Sequence, residues 1–324
     1  MSASLGEFEL IRRFFDRADR SAPAVVKGIG DDCAVLAPTP GWQWLVSTDM
    51  LVEGRHFLST VDPERLGHKA LAVNLSDLAA CGATPRAFFL ALALPRADAK
   101  FLEGFARGLF ALADAHGIAL AGGDTTAGPL NVCITVMGEA PRGQVLLRSG
   151  ARPGDELWVS GTLGDARLAL EVFRGTASLP GDQFAQVRRA MELPQPRLAL
   201  GQALRGLATS AIDVSDGLAG DLGHVLKASG VGAEIDFAAL PRSAVLAGQD
   251  LALQQECLLT GGDDYELVFT AAPEQHQAVK DAGARSGTRV TRVGRIRAET
   301  GLDVLDSDGA PMALLSASFD HFKS

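Results

Sequence analysis

Apolar residues Phe8, Leu10, Ile11, Phe14 and Phe15 recur at helical spacing and predict an amphipathic helix near the start of the chain. Residues 44–46 read as a strand running into the polar triplet Ser47-Thr48-Asp49. Over residues 63–81, Leu66, Ala70, Val73 and Leu78 lie on one helical face and Gly82 supplies the stop. Residues 87–94 form a continuous apolar run closed by Pro95, the pattern of a strand buried on both faces. A second helix is expected over 100–116, through Phe101, Phe105, Leu109 and Leu112, ending at Gly117. A short strand over 118–121 then delivers Gly122-Gly123-Asp124, and residues 132–137 read as another strand.

The turn Arg152-Pro153-Gly154-Asp155 marks a change, and residues 157–160 begin a new strand. The segment from Asp213 to Gly217 precedes a helix carrying Leu218, Leu222, Val225 and Leu226 and stopped by Gly230. Residues 267–270 read as a strand directly after Gly261-Gly262-Asp263-Asp264, and residues 175–186 as a loop. Strands and helices alternate in both halves, which predicts a two-domain α/β or α+β chain. The boundary is expected near residue 150, giving domains 1–150 and 151–324.

Composition narrows the function. The chain has 324 residues, 47% of them hydrophobic and 21% charged, enough for a substantial core. Its net charge of −9 leaves no basic surplus to neutralise a nucleic-acid backbone. The four cysteines, Cys33, Cys81, Cys133 and Cys257, are widely spaced and form no Cys-x-x-Cys pair, which argues against structural zinc and for a reducing, cytoplasmic setting. The opening residues lack a basic-then-apolar signal segment, and no apolar run approaches bilayer length, so no membrane partner is expected.

The chemistry is carried by short acidic motifs flanked by glycine and serine. These are Gly-Ile-Gly-Asp-Asp at 28–32, Ser-Thr-Asp at 47–49, Asn-Leu-Ser-Asp at 74–77, Gly-Gly-Asp-Thr-Thr at 122–126, Asp-Val-Ser-Asp-Gly at 213–217 and Gly-Gly-Asp-Asp-Tyr-Glu at 261–266. Taken singly, each has an ordinary reading, since Asp or Ser before a helix is a common N-cap and Gly-Gly-Asp a common turn. Taken together, clustered carboxylates repel unless cations offset them, and Mg²⁺ is held by a few carboxylates plus substrate phosphates. If the motifs converge, the site is one for metal ions and a phosphorylated ligand. No Gly-x-x-x-x-Gly-Lys-[Ser/Thr] occurs, and Cys33 stands where a dinucleotide fingerprint needs its third glycine. With only six lysines in the chain, metal and arginine are the expected counter-charges for phosphate. Arg148 is a candidate clamp because guanidinium pairs with phosphate oxygens bidentately, a surface arginine being the alternative. Gly161-Thr162-Leu163-Gly164 reads either as a plain turn or as a source of backbone amides for phosphate.

These motifs, with Gly54-Arg-His-Phe57 and Arg148-Ser-Gly150, occur in an order that resembles the thiamine-monophosphate kinase family over nearly the whole chain. The wider superfamily, with aminoimidazole ribonucleotide synthetase and selenophosphate synthetase, shares only parts of the pattern. The resemblance implies an N-terminal ATP- and metal-binding α/β domain that dimerises through its sheet, and a C-terminal α+β domain. It implies ATP-dependent phosphorylation of thiamine monophosphate to thiamine diphosphate by a homodimer, with several Mg²⁺ ions and no catalytic acid or base. By motif, Asp32, Thr48, Asp49, Asp77, Asp124, Asp213 and Asp216 would be metal ligands. Gly123, Asp124, Arg148 and Ser215 would contact ATP, and His56, Asp263 and Phe319 would line the thiamine site. The chain departs from many relatives in carrying Asp at 263 in place of Glu, and Phe at 319 in place of Trp or Tyr. The rival readings are a sister ATP-using enzyme and a non-catalytic nucleotide or metal sensor on the same scaffold.

Overall fold

The computed structural model describes residues 6–17 and 23–313. These fall into two compact units, one of the described residues up to Leu78 with Ala83–Gly143, the other of Ala79–Gly82 with the described residues from Gln144 onward. No helix of the described residues is long and apolar enough to cross a membrane.

The first unit runs α1 (Glu7–Phe14), β1 (Val25–Lys27), β2 (Val35–Leu36), β3 (Trp42–Val52), α2 (Pro63–Ala80), β4 (Thr84–Leu94), α3 (Ala99–His116), β5 (Ala119–Ala127) and β6 (Asn131–Pro141). Its main sheet has the order β3-β6-β4-β5, parallel only between β4 and β5, the two strands that α3 connects. Helix α3 starts where Asp98 accepts from the amides of Lys100 and Phe101 and ends at left-handed Gly117. Helices α2 and α3 meet backbone to backbone: a Cβ at Gly108 would lie 1.8 Å from the Glu64 carbonyl oxygen, and one at Gly67 2.0 Å from that of Phe105. Such close approach buries α2 from Leu66 to Ser76 except for half-exposed His68, and even Lys69 is 3% exposed. That burial fixes which sheet face α2 covers, and so where its polar residues Asn74 and Asp77 meet β3.

Three sequence readings change here. Ser47-Thr48-Asp49 and Gly122-Gly123-Asp124 lie within β3 and β5, not beyond short strands. Ladder partners on β6 and β4 extend both strands through these polar and glycine residues. Strand β4 is covered on one face only, because Ala91 is exposed and Phe89 and Ala93 are half-buried while Phe88, Leu90 and Leu92 are buried.

The second unit runs β7 (Glu156–Ser160), α4 (Asp165–Arg174), α5 (Gly181–Glu192), α6 (Leu198–Ala203), β8 (Ala208–Asp213), α7 (Leu218–Ser229), β9 (Gly232–Asp236), α8 (Ala244–Ala247), α9 (Leu251–Gln255), β10 (Leu267–Ala271), α10 (His276–Arg285), β11 (Val290–Arg297) and β12 (Gly301–Leu305). Six strands form one sheet in the order β12-β9-β11-β7-β10-β8, antiparallel except for β12 against β9. Leu157, Val159, Ile212, Val268 and Leu222 belong to the core beneath it. The expected loop over 175–186 is a correction: from Gly181 onward it is helix α5, whose Phe184 packs edge-on against Phe173 of α4 at 5.2 Å between ring centres. A π-helical turn, Glu256–Thr260, leads from α9 into the Gly-Gly-Asp-Asp motif.

Candidate active site

In the first unit the acidic motifs are held by β3, β5, α2 and the loop before β2. On β3, Ser47 and Asp49 alternate with exposed Thr48 and Met50, so Ser47 and Asp49 face the helix side of the sheet. There α2 offers Asn74 and Asp77. Asn74 is 1% exposed; its Oδ1 accepts the Asp49 amide at 3.1 Å, and its Nδ2 donates to the Ala70 carbonyl at 2.9 Å. The Ser47 hydroxyl donates to Asp77. Thr48 lies on the opposite face, its hydroxyl 2.8 Å from that of Thr135. Asp124 shares that outer face through the register Met50–Cys133–Ala91–Asp124.

A cleft of about 1150 Å³ is lined by the loop carrying Gly30, Asp31 and Asp32, by Gly123 and Asp124, and by α1. It therefore brings three proposed site residues, Asp32, Gly123 and Asp124, to one wall. Gly123 is required by geometry: its φ is +152°, and a Cβ there would meet the Leu90 carbonyl oxygen at 1.9 Å. His56 closes the turn after β3. Its Nδ1 accepts the Val52 amide at 2.9 Å, which places the ring proton on Nε2.

In the second unit, residues 213–217 and 261–266 run side by side. The Val214 amide donates to the Glu266 carbonyl, the Tyr265 amide to that of Val214 and the Asp263 amide to that of Ser215, each at 2.8 Å. Asp263 and Tyr265 have φ of +64° and +53°, an uncommon conformation for residues with side chains that these bonds hold in place. Glu266, 5% exposed, anchors the motif by accepting from Arg197 through two guanidinium nitrogens and from the Ser160 hydroxyl. Asp264 accepts the Gly164 amide at 2.8 Å, and the Gly161 and Leu163 amides donate to the Arg289 and Pro241 carbonyls at 2.8 and 3.0 Å, so three of the four amides of the 161–164 turn are already used within the protein. Burial pushes Asp264 well above the usual carboxylate range; the Gly164 bond opposes this, and neighbouring Glu266, Asp263 and Asp165 reinforce it.

Asp213 ends β8 and is 5% exposed; Ser215 and Asp216 are half-buried. Arg148 is exposed. Burial takes Asp221, in the first turn of α7, up to about 7, opposed by the Asp216 and Ser215 amides it accepts and, last, by Arg148, while the Asp216 charge adds to the rise. Among the described residues no group of three or more His, Cys, Asp or Glu side chains stands ready to hold a metal ion. Each candidate acid is thus placed by its own local frame: Asp49 and Asp77 by α2, Asp32 and Asp124 by the cleft, Asp213 and Asp216 by the 213–217 loop. Phe319 lies outside the described residues. Sequence reasoning gave no role to Asn74, Arg197 or Asp221; Asn74 and Asp221 are buried polar residues on helices, and Arg197 stands half-buried just before α6.

The family profiles agree with this architecture. Residues 30–140 match the AIR synthase related protein, N-terminal domain, and residues 152–307 the corresponding C-terminal domain. The chain therefore has the two-domain α/β fold of AIR synthase related proteins. It is 45% identical over 321 residues, 98% of each chain, to a thiamine-monophosphate kinase of Salmonella typhimurium. Among solved structures it resembles a thiamine-monophosphate kinase from Stenotrophomonas maltophilia, with TM-score 0.86, 44% identity and coverage of 95% of this chain and 98% of that one. It also resembles a structure of AaThiL complexed with AMPPCP and TMP, with TM-score 0.76, 29% identity and coverage of 88% and 89%. The chain belongs to the thiamine-monophosphate kinase family, and as a member it is a phosphotransferase.

Proposed function

We propose that this chain transfers the γ-phosphoryl group of ATP directly, in line, to the phosphate of thiamine monophosphate, giving thiamine diphosphate with the help of several Mg²⁺ ions. The observation that carries the reading is the full-length likeness to thiamine-monophosphate kinases with every acidic motif present. The acceptor suits the residues at hand. A phosphate monoester has a second pKa of about 6 and is largely dianionic at neutral pH. It needs no general base, and none is proposed.

The donor set fits a hard cation, since Asp32, Thr48, Asp49, Asp77, Asp124, Asp213 and Asp216 offer oxygen alone, without histidine or thiolate. What Mg²⁺ supplies when bound is neutralisation of the charge on donor and acceptor phosphates. The chain's own residues bind and orient: Gly123, Asp124, Arg148 and Ser215 take ATP, while His56, Asp263 and Phe319 take the thiamine moiety. His56, with Nδ1 occupied by a backbone amide, acts there as an Nε2 hydrogen-bond donor.

A homodimer completes the reading. The eleven-residue β3 is a sheet edge, and its outer face carries Val46 and Met50, 59% and 52% exposed. A long edge strand with exposed apolar residues favours pairing with a second copy. The four free cysteines fit the reducing cytoplasm.

The test is to incubate the purified chain with ATP, Mg²⁺ and thiamine monophosphate and follow thiamine diphosphate by chromatography, with and without EDTA. Metal-dependent product supports the reading, and ATP binding without product shifts it to a sister enzyme or a sensor. Retention of configuration at a chiral γ-phosphate would rule out direct transfer. Sedimentation of a single monomeric species would refute the dimer.

A further inference from the structure

The 213–217 loop contains two acids and a serine just before a helix, where an Asp or Ser side chain ordinarily caps the first turn. Here the N-cap is Gly217, with no side-chain capping bond. The loop backbone is held from the other direction. Asp221, one turn into α7 and 3% exposed, folds back so that a single carboxyl oxygen, Oδ2, accepts the amides of both Ser215 and Asp216 at 3.0 Å. Its own amide donates to the Gly217 carbonyl at 3.0 Å, so helix and loop are closed into one frame. The remaining loop groups are taken by the 261–266 strip: Val214 by Glu266 and Tyr265, the Ser215 carbonyl by Asp263. An acid in a first turn usually serves the helix dipole. This one instead reaches upstream of the helix, to the two residues read as ATP and metal contacts.

We infer that Asp221 is a positioning residue for phosphoryl transfer, holding the Ser215–Asp216 backbone so that these two side chains are presented to the nucleotide, and that it does so as a hydrogen-bond acceptor and not through its charge. The inference rests on the kinase reading for the ligand, and on geometry alone for the frame. Because both amides converge on one oxygen, an amide oxygen in the same place serves equally. Asp221→Asn keeps that acceptor, Asp221→Ala removes it, and Asp221→Glu displaces it by one methylene.

The experiment compares the three variants in the full chain by steady-state kinetics for each substrate and by amide hydrogen exchange across 213–217. In Asp221→Ala the KM for ATP is expected to rise about tenfold, the scale of one ordinary hydrogen bond. The KM for thiamine monophosphate stays within about twofold of wild type, and the 215–216 amides exchange faster. Asp221→Asn is expected to match wild type in all of these, and Asp221→Glu to follow Asp221→Ala. If Asp221→Ala does not fold, the Asn and Glu variants carry the same contrast. Equal damage in Asp221→Asn and Asp221→Ala would overturn the acceptor role, and unchanged exchange and KM in Asp221→Ala would overturn the positioning role. A wild-type chain without turnover would sink the kinase reading, while the exchange data would still decide the frame.

Discussion

Arg197→Met should destabilise the second unit severely, because it strands a buried carboxylate. Glu266 is 5% exposed, and its charge is met by the Arg197 Nε at 2.7 Å, by a second Arg197 nitrogen and by the Ser160 hydroxyl. That hydroxyl is itself tied to the strand, accepting the Leu267 amide at 2.8 Å. Removing the guanidinium leaves one neutral donor for a buried charge. Breaking a buried pair from one side costs about 3–5 kcal/mol. At about 2–4 °C per kcal/mol for a unit of this size, the melting temperature should fall by about 6–20 °C. Replacing both partners by apolar residues of similar volume is often near neutral, so Arg197→Met with Glu266→Leu should recover most of the loss. Thermal and urea unfolding of wild type, both single variants and the double variant give the coupling energy directly. A single Arg197→Met variant within about 1 kcal/mol of wild type would refute the reasoning, as would a double variant no more stable than the single one.

Gly123→Ala forces a Cβ to within 1.9 Å of the Leu90 carbonyl at a φ of +152°, so strands β4 and β5 must part beside Asp124; kcat/KM should fall by about two orders of magnitude, the scale of a misplacement of ~1 Å, and wild-type turnover would refute the placement. Asp49→Ala and Asp77→Ala should each abolish turnover at saturating Mg²⁺ with circular dichroism unchanged, and substantial residual activity in both would remove them from the metal site. Cys257 is fully buried and its thiol is pushed up to about 12, first by burial, whereas Cys33 is exposed; a thiol reagent at pH 8 should label Cys33 in the native protein and Cys257 only after unfolding, which peptide mapping will check.

Much of the frame could be read from the chain. The amphipathic spacing in α1, α2, α3 and α7, with glycine stops at Gly82, Gly117 and Gly230, gave the helices nearly to the residue, because period and cap are local properties. Helix α5 had the same kind of signal in Phe184, Val187 and Met191, but its polar surroundings and Pro180-Gly181 start read as loop. The acidic motifs and their order also stand in the sequence, and they point to phosphate and metal chemistry on residue type alone.

Local pattern and residue type thus sufficed for which segments become helices, which side chains bring chemistry, and the family. Folding alone makes Ser47-Thr48-Asp49 and Gly122-Gly123-Asp124 strand and not turn, since ladder partners far along the chain hold them extended. It alone put Asp49 and Thr48 on opposite faces and gave Asn74, Arg197 and Asp221 their tasks. A polar side chain has no role until a particular amide or carboxylate lies opposite it. For Glu266 and Arg197 that partner is 69 residues away, and only the packing of sheet and helix brings it within reach.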